Sequence, residues 1–181
     1  MTTNASRTIS FSRVSLGRLR KLYSKSRRPT DYVPQANDLG KVFELVWGID
    51  ESTRTTGQIA LRFNIVGRQA AYYIEAGREL GFLQETSRGE FRLTSDGGKL
   101  HSLGENEALS LFSTHVLTIP VIRLAMDLVL SSSNDTLPMA DLDTIVVDCC
   151  RGRYKLSTVP RRTECVIAWL RWLENNSEFV D

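Results

Sequence analysis

No Asp or Glu occurs before Asp31 in this 181-residue chain, so one sign of charge is missing from its first thirty positions. Cysteine is scarce as well. Cys149, Cys150 and Cys165 make up the full set, two of them adjacent and none in a C-x-x-C pair, which argues against a disulfide framework or a zinc site and fits a reducing, intracellular setting. The most apolar run, Val116 to Leu130, is interrupted by Pro120, Arg123 and Asp127, too short and too charged to span a membrane. An apolar stretch of the kind a secretory signal needs is absent near the N-terminus. Phosphate-binding G-x-x-x-x-G-K-[ST] and nuclease D…(D/E)-x-K patterns are also missing. The carboxylates are scattered, and His101 and His115 have no partner at ligand spacing. The expectation is a cytoplasmic, non-catalytic protein without cofactor or metal.

What is present begins with cations. The first thirty residues carry Arg7, Arg13, Arg18, Arg20, Lys21, Lys25, Arg27 and Arg28, and the remainder has 15 basic against 21 acidic residues. A basic arm on a mildly acidic body points to a polyanionic partner. Residues 1–8 read as disordered, Ile9 to Tyr23 as a loosely helical amphipathic segment that docks on the body or orders on DNA, and Arg27 to Pro34 as a linker. Arg18, Arg20, Lys21, Lys25, Arg27 and Arg28 are the arm's candidate phosphate contacts. The alternatives are a solvated tail or, given the Arg- and Ser-rich composition, a mitochondrial transit peptide.

The stretch from Thr55 to Leu93 organises the first domain, residues 31–104. Asn37 or Asp38 caps a helix with Leu39, Val42, Phe43, Val46 and Trp47 on its apolar stripe. Thr55 or Thr56 caps a second, with Ile59, Ala60 and Phe63 inward. Asn64 to Gly67 makes a turn, and a third helix runs from Arg68 to about Leu80. Ala70, Ile74, Gly77 and Leu80 form its inner stripe, and Arg68, Gln69, Tyr72, Glu75 and Glu79 its outer one. Ala70 and Gly77 are small enough for close helix approach, and Gly81 stops the helix. Two short strand-like runs, 82–86 and 90–93, joined by Ser87-Arg88-Gly89, complete a helix-turn-helix with a β-hairpin wing. Thr94 or Ser95 caps a short connecting helix.

Residues 105–181 read as a helical, second winged-helix-like domain. Helices run from Glu105 to Thr118 and onward from Pro120, with Leu109, Phe112, Leu117, Leu124, Leu128 and Val129 as core. Another follows Leu137-Pro138, with Leu142, Ile145, Val146 and Cys149 inward. The last is capped by Ser157 or Thr158 and buries Val166, Trp169, Leu170 and Leu173, leaving Arg161, Arg162 and Glu164 outward. Five of the twelve residues from Arg151 to Arg162 are basic. Of these, Arg153, Lys155, Arg161 and Arg162 are candidate phosphate contacts beside a helix N-terminus. Residues 175–181 would begin a second wing. The alternative for this region is a helical cap on the first domain.

The order of several short patterns resembles winged-helix domains of prokaryotic restriction-modification and related defence proteins. The patterns are Arg68-Gln69-Ala70 with Tyr72-Tyr73, Leu80-Gly81-Phe82-Leu83, Leu93-Thr94-Ser95-Asp96-Gly97, Ile119-Pro120, Arg161-Arg162 and Trp169-Leu170-Arg171-Trp172. The resemblance implies a mainly α fold with a small β-hairpin wing, organised as two tandem winged-helix units. Such units serve an attached nuclease or ATPase domain, which this chain has no room for, so a nuclease or ATPase subunit is the expected protein partner.

The expected function is double-stranded DNA binding by a regulator or stand-alone recognition subunit, associated with the nucleoid. Arg68, Gln69 and Tyr72 would face base edges, Arg88 the backbone or minor groove, and the other cations phosphates. The competing reading is a winged-helix protein–protein adaptor. Glu75 and Glu79 on the outer stripe favour it.

Overall fold

The computed structural model describes residues 8–23, 32–50 and 54–179. Among them the chain is mainly helical, with two small antiparallel β-pairs. Arm candidates Lys25, Arg27 and Arg28, with residues 1–7, lie outside the described residues.

The segment from Thr8 to Tyr23 belongs to the body. Strand β1 (Thr8–Ser10) pairs with β4 (Thr136–Pro138), Ile9 opposite Leu137, and helix α1 (Arg13–Leu22) starts where the Ser12 side chain caps the Ser15 N–H. Ile9, Phe11, Leu16 and Leu19 are all buried. Of the two readings of Ile9 to Tyr23, docking on the body is the one found, though it begins with a strand, and Thr8 is strand rather than disordered. Burying four large apolar side chains is worth about 1.5–3 kcal/mol each before conformational entropy is subtracted, ample to seat so short a segment. The expected linker is corrected likewise at its C-terminal end. Tyr32, Val33 and Ala36 are fully buried, and the Trp169 indole donates to the Ala36 carbonyl at 2.8 Å.

Helix α2 (Leu39–Gly48) begins where the Asp38 carboxylate caps the Lys41 N–H, and it buries Leu39, Val42, Phe43, Leu45 and Val46. Thr55 and Gln58 form a reciprocal capping box that starts α3 (Thr56–Arg62). A four-residue turn leads to α4 (Gly67–Glu79), whose inner face buries Ala70, Tyr73, Ile74, Ala76 and Gly77. A Cβ on Gly77 would stand 2.9 Å from Leu83 Cδ1 and 3.1 Å from Val46 Cγ2, so the glycine sets how closely α4 lies on α2. Strands β2 (Leu83–Ser87) and β3 (Glu90–Leu93) form a hairpin with Leu83 opposite Leu93. Its tip is Arg88-Gly89, with Gly89 at φ +79° as a tight turn requires. The residues ahead of α3 join the hairpin: Thr55 bridges Glu90, and the Phe91 N–H donates to the Arg54 carbonyl at 2.7 Å.

Thr94 caps α5 (Ser95–Ser102) and donates its hydroxyl to the Gly81 carbonyl at 2.6 Å, fastening the hairpin's exit to the end of α4. Helices α6 (Glu105–Val116) and α7 (Pro120–Ser131) meet at a sharp bend. No single helix among the described residues is long and apolar enough to cross a membrane. After β4 come α8 (Met139–Cys150), a 3-10 turn (Leu156–Thr158), α9 (Val159–Asn175) and a closing 3-10 turn (Ser177–Phe179). That last turn stands where the start of a second wing was considered; residues 180–181 are outside the described set.

The two halves share one core. Phe112 of α6 packs edge-on against Phe43 of α2 and Trp172 of α9 and stacks on Phe82 beside the hairpin, with ring centroids 5.3–5.6 Å apart. One buried apolar cluster runs continuously from Ile9 to Leu173, across the expected boundary at residue 104. Two further expectations are corrected here. Leu124 and Leu128 are 47% and 41% exposed, because α7 turns Val121, Ile122, Ala125, Met126 and Val129 inward instead. In α8 it is Cys150 rather than Cys149 that is fully buried.

Candidate nucleic-acid interface

Helix α4 shows its first turn to solvent. Val66, the residue at its cap, and Gly67, Arg68, Gln69 and Ala71 are all exposed, while Ala70 is completely buried beneath them. The Arg68 Nε donates to the Tyr72 hydroxyl at 3.0 Å, a pairing one helical turn long. The bond uses Nε, and the guanidinium has two further nitrogens able to donate.

Tyr72 also collects a cation from the far end of the sequence. The Arg161 guanidinium lies over its ring, 5.1 Å from the centroid, and Arg68 lies at 5.7 Å. The Arg68 hydrogen bond, and then the charges of both arginines, hold the Tyr72 phenol below its ordinary value. One aromatic ring thus joins the start of α4 to the start of α9.

The acids on α4 continue the same stripe one and two turns further on, and arginines from the second half of the chain approach them. Glu79 pairs with Arg153 at 4.0 Å. Glu75 is half-buried, and burial pushes its carboxyl up, opposed chiefly by Arg162. Between Ser52 and Ile74 the chain has no Asp or Glu, and it has Arg54, Arg62 and Arg68. Arg62 is paired with Asp50 behind the turn, and Arg78 reaches Glu85 of β2 at 3.5 Å, tying the hairpin to α4.

The remaining expected contacts divide clearly. Arg88 is exposed at the hairpin tip, and Lys155 is exposed in the turn before α9. Arg153 stacks on Tyr154 at 5.5 Å while pairing with Glu79, so it is engaged within the fold. Arg162 corrects the reading of an outward R-R pair, since it is only 5% exposed. Its guanidinium donates to the Val33 carbonyl, reaches Gln35 Oε1 at 3.4 Å and sits over the Tyr154 ring at 3.5 Å. Arg162 holds residues 32–36 onto α9 and is not available to a ligand. In α1, Arg20 donates to the Leu130 carbonyl at 3.2 Å, Arg18 is half-buried and Lys21 is exposed. That helix packs chiefly on α9, α6 and the closing turn, and the Ser12 N–H at its cap donates to Glu174, at the end of α9 opposite Arg161.

Reasoning from sequence missed Leu61 and Val66, which are 84% and 65% exposed on either side of the α3–α4 turn. Their signal was available: both fall off the inner stripe set by Ile59 and Ala70. The histidines are structural. His115 Nδ1 meets the Leu80 carbonyl at 2.8 Å, and His101 Nδ1 meets the Trp47 carbonyl at 2.7 Å. Burial raises the Cys150 and Cys165 thiols above their ordinary value, away from the thiolate form.

A family model described as a domain of unknown function, DUF7226, matches residues 41–178. The chain belongs to the DUF7226 family. No match was found among curated proteins or among solved structures. The DUF7226 match starts inside α2 and ends in the closing 3-10 turn, so it includes both helix pairs, the hairpin and the Arg68–Tyr72–Arg161 cluster. It leaves out β1 and α1.

Proposed function

We propose that this DUF7226 chain binds double-stranded DNA as a winged helix-turn-helix, with α3 and α4 as the helix pair and the β2–β3 hairpin as the wing. The observation that carries the reading is the Arg68–Tyr72–Arg161 cluster at the exposed start of α4, on a stretch free of acids. A helix in this position enters the major groove N-terminus first. There the paired terminal nitrogens of Arg68 match guanine O6 and N7, and Gln69 matches adenine N6 and N7. Tyr72 acts as a positioning residue that holds the Arg68 guanidinium end-on. Arg161 and Lys155 serve the phosphates beside the groove, and Arg88 those beneath the wing.

The order α7, β4, α8, α9 repeats the order α2, bridge, α3, α4, which supports a second winged-helix-like unit whose strand partner is β1 instead of a wing. The role is recognition without catalysis, in a regulator or in the recognition subunit of a restriction or defence assembly that supplies its own nuclease or ATPase. A winged-helix adaptor is the second reading. It is favoured by the exposed Leu124–Leu128 pair on α7, an apolar step that DNA does not need.

The test is selection of preferred sites from random duplexes, followed by titration of Arg68→Ala. The expected result is a preferred site at which the variant loses discrimination at one base pair, worth about 1–3 kcal/mol. Equal weakening on all sequences would remove the base-reading role of Arg68.

A further inference from the structure

We propose that Val66 and Leu61 read thymine C5-methyl groups next to the bases reached by Arg68 and Gln69. The inference rests on the DNA-binding reading and names part of the sequence it would prefer. Val66 is 65% and Leu61 84% exposed, and neither is needed inside. The turn backbone closes on itself, with the Asn64 N–H donating to the Leu61 carbonyl at 3.3 Å and the Ile65 N–H to the Ala60 carbonyl at 3.0 Å. Ile59 and Ala70 are fully buried on the inner side, with Phe63 and Ile65 of the turn packed against the same core. A branched hydrocarbon left in water at such positions contributes nothing to folding, and polar residues would serve the turn equally well.

Their surroundings select the partner. The chain from Ser52 to Ile74 is acid-free; of its three arginines Arg62 is paired with Asp50, Arg68 stands two residues after Val66, and Arg161 adds a cation from α9 through Tyr72. Apolar spots in a cationic surface complement a groove whose floor carries methyl groups and whose walls are phosphates. Among the four bases, thymine alone shows an apolar group in the major groove. Val66 stands two residues before Arg68 and three before Gln69, at the entering end of the helix, so it would reach a base pair adjoining theirs. Gly67 lies between them, and a Cβ there would meet nothing within 4 Å, so no side chain stands between this end of the helix and the groove floor. Ala71, exposed one turn further on, adds a small third apolar surface.

The experiment uses the full chain and duplexes selected from a random pool. Each thymine in the preferred site is replaced singly by deoxyuridine, which removes the methyl group and nothing else. The expected result is a loss of about three- to fivefold at one or two positions, the value of one buried methyl. Val66→Ser or Leu61→Ser should abolish that difference while binding the deoxyuridine duplex within about twofold of the unaltered chain. Both residues are exposed, and unchanged far-ultraviolet circular dichroism of the variants secures the comparison. If the chain binds duplex DNA but no thymine can be told from deoxyuridine, the methyl contacts are refuted and DNA reading stands. The methyl contacts are refuted equally if the discrimination survives in both serine variants and their combination. No binding to any duplex would overturn the DNA reading and this inference together.

Discussion

The two helix pairs of this chain follow the same order but treat their second helix in opposite ways. Helix α4 is reached by a four-residue turn and buries one face; its first turn is open to solvent and carries Arg68 and Gln69. Helix α9 is reached through eight residues that include a 3-10 turn, and it buries more of its circumference: Val159, Arg162, Thr163, Cys165 and Val166 are buried, while Pro160, Arg161 and Glu164 are exposed. The difference lies in what packs against each helix start. For α9, residues 32–36 arrive from the N-terminal part of the chain, with the Val33 carbonyl accepting from Arg162 and the Ala36 carbonyl from Trp169. One pair presents its helix, and the other uses its helix as the axis of the core.

The largest expected effect tests that contrast in stability. Trp169→Ala in α9 should cost about 3–5 kcal/mol in urea unfolding, because the ring is fully buried and its indole N–H is used. Arg68→Ala in α4 should stay within about 0.5 kcal/mol of the unaltered chain. Comparable losses from the two would erase the distinction between presenting and supporting helix.

Two adjacent arginines give the next test. Arg162→Ala should lower stability by about 1–3 kcal/mol, since it strips the buried Val33 carbonyl of its donor. Arg161→Ala should leave stability unchanged and weaken DNA binding. A stability loss at Arg161 with none at Arg162 would reverse their assigned roles.

A smaller effect isolates the positioning of Arg68. Tyr72→Phe keeps the ring under Arg161 but removes the hydroxyl that accepts from Arg68. Base discrimination at the Arg68 position should fall about three- to tenfold, as expected for one hydrogen bond, with affinity for unrelated duplexes unchanged. Uniform weakening on every duplex would assign Tyr72 to phosphate contact instead.

The smallest effect is in pH. Partial burial raises the Glu75 carboxyl above its ordinary 4.5, with Arg162 opposing. The folded chain therefore holds that proton more tightly than the unfolded one. The associated stability is fully present below the unfolded value and is lost as pH rises through the folded one. Glu75→Gln should narrow the stability difference between about pH 4 and pH 7. An unchanged profile would show that Glu75 is solvated like the acids of an open helix face.

How much of this was legible in the sequence depends on how local the deciding interactions are. Asp38, Thr55 and Thr94 were readable as caps because each bonds an N–H three residues ahead, and Gly81 as a stop because the helix end itself needs positive φ. The hairpin tip at Arg88-Gly89 followed from the same short-range chemistry. Arg162 was misread because its partner Val33 lies 129 residues away, and nothing near it distinguishes it from Arg161. In α7 both sides of the helix are apolar, so the pattern could not choose between Leu124 with Leu128 and Val121 with Ala125. Ile9 of β1 and Leu16 and Leu19 of α1 were legible as apolar positions, but only the pairing of β1 with β4 places that segment. Of the candidate interface, α4 was legible and the approach of Arg161 to Tyr72 was not, since it joins positions on different helices in different halves of the chain.

The most direct test of the central claim is the salt dependence of binding to random duplex DNA, measured for the full chain and for Arg161→Ala. The full chain should bind with an affinity that falls as salt rises. The variant should bind more weakly, with a log–log slope shallower by roughly 0.9, the value for the one phosphate that Arg161 would neutralise. Identical slopes, or no binding by either protein, would contradict a DNA interface formed by α4 and the start of α9.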